Sequence, residues 1–160
     1  MISIQLIAVG KVKEAWMREG CAEYLKRLCA WSHVSIVEVD EYRLPDHPSV
    51  AQIADCIEKE GRRILEKVPK NSRLVAMCIE SKQLSSEQFA SWIAKSASEG
   101  AGNITFVIGG SYGLSGEVKS RAALLLSMSP MTFPHQLARV LLLEQIYRAF
   151  SINVNAKYHK

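Results

Sequence analysis

The stretch SPMTFPHQLARVLLLEQIYRAF (129–150) holds most of the candidate chemistry in this chain. Pro134 suits the first turn of a helix, which sets His135 at that helix's N-terminus. The macrodipole there disfavours imidazolium, so a neutral ring is available to accept a proton or a hydrogen bond near neutral pH. A ring satisfied by nearby backbone is the plainer reading. Around the helix, Glu144, Gln145 and Arg148 share one narrow sector, and Glu144 and Arg148 have the i, i+4 spacing of a simple ion pair. Arg139 falls nearly opposite and needs a separate partner, for which a second copy of the chain is one candidate. The tail NVNAKYHK ends in Tyr158, His159 and Lys160, able to stack on a base and hold phosphate, although most chain ends simply fray.

A second unusual stretch is VIGGSYGLSGEV, where Gly109, Gly110, Gly113 and Gly116 follow an apolar run. One glycine signals a tight turn; four so close together favour a backbone cradle against which a ligand can lie. The spacing is not GxxxxGK[ST], so no P-loop is expected, and no GxGxxG follows the first apolar run as a dinucleotide fold would require. A Rossmann-type enzyme would also need an acidic ribose ligand near the end of the second strand, where Asp40 is the candidate. Cys21, Cys29, Cys56 and Cys78 form no CxxC pair and no histidine has zinc-finger spacing, so neither a metal site nor a disulfide framework is expected.

These residues need a frame, and the hydrophobic pattern supplies one. Apolar, β-rich runs at Ile2–Val9, 33–40, 72–80, 103–110 and 123–129 alternate with helical patterns at 13–28, Val50 to about Val68, 84–97, a short segment near 117–123, and the final helix. Asp46 or Ser49 is placed to cap the second helix, and Ser85 with Gln88 has the spacing of a capping box. The alternation predicts an α/β fold, a mostly parallel sheet of about five strands covered by helices, in one domain over 1–160. Loops at the carboxyl ends of such strands are where ligands bind. The final helix is apolar nearly all round and must be covered on both flanks; the sheet covers one, and a homodimer partner is expected on the other.

A formal net charge of +4 is compatible with a polyanionic partner without specifying one. The opening MISIQLIAVGK lacks a basic leader start, and no stretch has the length of a membrane span, so a cytoplasmic protein without membrane contact is expected.

VIGGSYGL, the 129–150 block, the terminal YHK and the opening AVGKVKE together resemble the bacterial large-subunit ribosomal RNA methyltransferase H family, a minimal member of the SPOUT class, over the whole chain. The resemblance implies a C-terminal trefoil knot, S-adenosylmethionine bound in it, and a homodimer. It also implies methyl transfer to N3 of a pseudouridine in 23S rRNA on the assembled ribosome, with no metal. Carried over by position, the cofactor is expected on Met77, Gly109, Met128, Ser129, Pro130, Met131, Thr132 and Phe133. On the RNA side the expected catalytic residues are Arg139, Arg148, Tyr158 and His159, drawn from one or both subunits, with His135 or His159 near the departing proton. The alternative is a non-catalytic RNA- or ribosome-binding homodimer, against which the four glycines argue.

Overall fold

The computed structural model describes Met1–Lys160. Strands and helices alternate throughout: β1 (Ile2–Val9), α1 (Ala15–Leu28), β2 (Ser32–Val39), α2 (Val50–Lys67), β3 (Ser72–Gln83), α3 (Ser86–Ser98), β4 (Asn103–Ile108), α4 (Gly116–Arg121), β5 (Leu124–Ser127) and α5 (His135–Asn153). All strand pairs are parallel, in the order β2-β1-β4-β3-β5. Period-2 alternation sends the two faces of each strand into separate cores. Ile4, Leu6, Ala8, Val75, Ile104 and Phe106 pack with α1, α3 and α5 on one face. On the other, Ile7, Val9, Leu74, Ala76 and Val107 pack with α2 and α4.

Ser49, not Asp46, caps α2, accepting from the Gln52 amide while Gln52 reaches back; Ser85 and Gln88 do the same for α3. Pro134 is the N-cap of α5 rather than part of its first turn, its carbonyl accepting from Ala138 N–H at 2.9 Å. β3 outruns its apolar pattern: register on β5 breaks between Met77 and Lys82, and Lys82 and Gln83 pair again beyond the break. The chain then returns from the edge strand β5 through 128–134, and α5 lies between α1 and α3. Gly20 lets α1 approach closely, since a Cβ there would stand 3.2 Å from Val140. Both flanks of α5 are thus met in part within the chain, with Leu137, Val140 and Leu141 left half-buried.

Candidate active site

A cavity of about 740 Å³ opens where the carboxyl ends of β3, β4 and β5 meet. Its walls are Met77 of β3 and the out-of-register residues that follow it (Cys78, Ile79, Glu80), the glycine loop (Gly109–Leu114), the loop after β5, Lys119 of α4, and His135 and Ala138 of α5. Of the residues expected around a cofactor, Met77, Gly109, Met128, Ser129, Met131, Thr132 and Phe133 line it; Pro130 does not. Cys78, Glu80 and Lys119 are not marked by the sequence as cavity residues, because nothing local marks a strand residue or a short-helix lysine as facing a cavity; Tyr112 comes with the glycine loop.

The glycine loop is folded tightly on itself. Gly113 takes φ +86° and donates its N–H to the Gly110 carbonyl at 3.1 Å, which brings the turn back onto Gly109. A Cβ on Gly109 would lie 2.9 Å from the Gly113 carbonyl carbon and oxygen. α2 forms the floor of the loop. Glu60, only 4% exposed, accepts from Tyr42 N–H at 2.9 Å, and its other oxygen stands 2.9 Å from where a Gly110 Cβ would be. Burial pushes the Glu60 carboxyl up, with the Tyr42 amide pulling the other way. The next residue, Gly61, leaves room for Ser115, the cap of α4. In the loop after β5, Ser127 Oγ donates to the Ser129 carbonyl at 3.0 Å, and Ser129 Oγ accepts from Met131 N–H at 3.0 Å. Serine hydroxyls therefore shape that loop alongside its two prolines.

Among the candidate catalytic residues, only His135 lines this cavity. Its Nδ1 is buried without a hydrogen-bond partner. Burial, and next the charge of Arg139, hold the ring below the usual histidine range, with Glu41 acting against them. The direction is the one the helix-end argument expects, but the causes are desolvation first and the Arg139 charge next. Arg139 is 1% exposed and faces inward: Nη1 donates to Glu38 at 2.7 Å and Nη2 to the carbonyls of Val9 and Gly10 at 3.2 and 2.7 Å. The partner sought for it across a dimer is present within the chain.

Arg148, Tyr158 and His159 come together elsewhere, on the outer side of α5. Arg148 pairs with Glu144 at 2.5 Å and lies over the Tyr158 ring, 4.8 Å from its centroid. Tyr158 donates to Glu144 at 3.1 Å, and His159 Nε2 meets Glu87 at 2.8 Å. Burial, with Tyr24 and Glu144 beside it, pushes the Tyr158 phenol up to about 12. The tail is docked, not frayed. Glu144 also lines a second cavity of about 400 Å³, which shares Leu126, Ser127, Met128 and Phe133 with the first. No cluster of three or more His, Cys, Asp or Glu stands at metal-binding range, and no helix is long and apolar enough to cross a membrane.

The family described as "Predicted SPOUT methyltransferase" matches residues 2–159. Proteins named "Ribosomal RNA large subunit methyltransferase H" from Carboxydothermus hydrogenoformans and Bacillus thuringiensis are each 47% identical over 159 residues, 99% of this chain and 100% of theirs. The chain belongs to the SPOUT methyltransferase family, among the large-subunit ribosomal RNA methyltransferases H. A solved structure, a "probable methylase family protein" of Haemophilus influenzae, is similar in fold, with a TM-score of 0.52 at 16% identity, covering 99% of this chain and 70% of that one.

Proposed function

We propose that this protein uses S-adenosylmethionine to methylate N3 of a pseudouridine in 23S rRNA, on the assembled ribosome and in the cytoplasm. The observation that carries the reading is the cavity built from three strand ends in a chain of this family. Its volume of about 740 Å³ falls within the ~300–1,000 Å³ range of small-molecule sites. The glycine loop and the loop after β5 offer main-chain donors and acceptors for an adenosine, and the floor under the glycines keeps those groups in place. The bound cofactor supplies an electrophilic methyl group; the chain's part is to hold it in line with the nitrogen and to exclude water.

A ring N–H must lose its proton before or during transfer. His135, at the cavity wall and held below the usual histidine range by burial, is the side chain there suited to accept it. Arg148, Tyr158 and His159 do not line this chain's own cavity. We infer that they meet the RNA from the second subunit of a homodimer seated on the half-buried Leu137, Val140 and Leu141 side of α5. We infer a C-terminal trefoil knot within one domain over 1–160 from membership of the SPOUT family, whose match runs over residues 2–159.

The test is transfer of labelled methyl from S-adenosylmethionine to ribosomes lacking the modification, followed by mapping of the labelled nucleotide. Label at N3 of one 23S pseudouridine is the expected result. Stoichiometric cofactor binding with label elsewhere would retain the methyltransferase and reject the target. Ribosome binding without cofactor binding would favour the non-catalytic dimer.

A further inference from the structure

Two opposite charges stand in the wall of the main cavity. Among the residues that line it, Glu80 and Lys119 are the only Asp, Glu, Lys or Arg, and His135, in another part of the wall, is held below the usual histidine range. They come from separate elements. Glu80 lies in the part of β3 between Met77 and Lys82 where register on β5 is broken, which turns this segment out of the ladder; Lys119 comes from α4. Lys119 Nζ reaches Glu80 at 2.6 Å, with the two side chains 34% and 59% exposed. An exposed pair of this kind adds little to stability, so its members can change partners when a better-matched ligand arrives.

A lone lysine in this place would suit a phosphate, and a lone glutamate a cation. The pair suits a ligand carrying both charges on neighbouring groups, and an α-amino acid carries its ammonium and carboxylate on one carbon. The two walls left for the nucleoside, the glycine loop and the loop after β5, contribute no charged side chain. We propose that Glu80 and Lys119 form the subsite for the amino-acid end of the cofactor, Glu80 accepting from the α-ammonium and Lys119 donating to the α-carboxylate. This assignment rests on the cofactor reading given above and adds to it the end of the ligand that the main-chain cradle leaves unspecified.

The test compares two ligands of the full-length protein by calorimetry. S-adenosylhomocysteine carries the amino-acid end; 5′-methylthioadenosine keeps the nucleoside and the thioether and lacks it. The native protein is expected to bind the first more tightly. Lys119→Met should weaken S-adenosylhomocysteine about tenfold, the size of one lost charge-assisted contact, and leave methylthioadenosine within about twofold. Glu80→Gln should act in the same direction, and the double variant should bind the two ligands nearly alike. Equal losses for both ligands, or no loss for either, would overturn the assignment while leaving the cofactor reading intact. So would a Lys119→Met protein that binds S-adenosylhomocysteine normally and ribosomes weakly, which would move Lys119 to the RNA. Failure of the native protein to bind either ligand would overturn the cofactor reading, and this subsite with it.

Discussion

Arg139 Nη1 meets Glu38 at 2.7 Å while Nη2 serves the carbonyl oxygens of Val9 and Gly10, so one buried guanidinium ties the start of α5 to the ends of β1 and β2. Glu38 is 40% exposed and can turn to water when the arginine is gone; the two carbonyls and the space behind them have less recourse. Arg139→Met is therefore expected to cost about 2–4 kcal/mol in urea unfolding, and Glu38→Gln no more than about 1 kcal/mol. An Arg139→Met protein with an unchanged urea midpoint would mean that the guanidinium is dispensable to the fold and free for another role.

Gly61 makes the opposite prediction from the usual helix rule. Replacing a mid-helix glycine by alanine ordinarily stabilises by about 1 kcal/mol. Here the added Cβ would overlap Ser115 Oγ and stand 2.8 Å from Ser115 Cβ. Gly61→Ala should lower stability by about 1–3 kcal/mol, and Ser115→Gly in the same chain should recover much of the loss despite weakening the cap of α4. Thermal unfolding of the single and double variants reads this directly. A stabilised Gly61→Ala protein would show that α2 does not pack closely on the start of α4.

The alternation of strands and helices was legible because each strand is a short apolar run and each helix carries its own periodicity. Ser85 and Gln88 could be paired from spacing alone, since a capping box is local. The partner of Arg139 could not: Glu38 lies at the end of another strand, and a helical wheel says only which way the arginine points. Strand order hid the cavity in the same way. Met77, Gly109 and the loop after β5 were placed around a cofactor by family resemblance, whereas Glu80 and Lys119 enter the same wall only because β3 breaks register and α4 follows β4 beside it. Glu60 sits amid charged neighbours and reads as a solvated helix face, yet it is buried beneath Gly110.

Gly109 is the glycine on which cofactor binding should depend most. A Cβ there would press on main-chain carbonyl atoms of Gly113 at 2.9 Å, which cannot swing aside as the Leu114 methyl at 3.0 Å can. Gly109→Ala is expected to open the turn and weaken S-adenosylmethionine by at least about tenfold, roughly 1.4 kcal/mol, with the far-UV spectrum retained. Gly116→Ala is the control, because a Cβ at that position meets nothing within 4 Å. Equal affinities in the two variants would separate the glycine turn from the binding site.

The last prediction concerns His135 and acid. Burial and Arg139 make its ring harder to protonate in the folded protein, whereas in the unfolded chain it titrates near its ordinary value of about 6.5. Below that pH the unfolded state therefore binds the additional proton, and stability falls as pH falls; above it the contribution is constant. His135→Gln removes the titration. Urea unfolding at pH 7.5, 6.5 and 5.5 should show the native protein losing more stability than the variant on acidification, with no divergence between pH 7.5 and higher values. The same neutral ring bears on catalysis: if His135 accepts the proton, kcat/KM should stay level to below pH 6.5 in the native enzyme and drop at every pH in His135→Gln. Parallel stability profiles in the two proteins would return the ring to ordinary proton affinity, and with it the assignment of His135 as a neutral acceptor would fall.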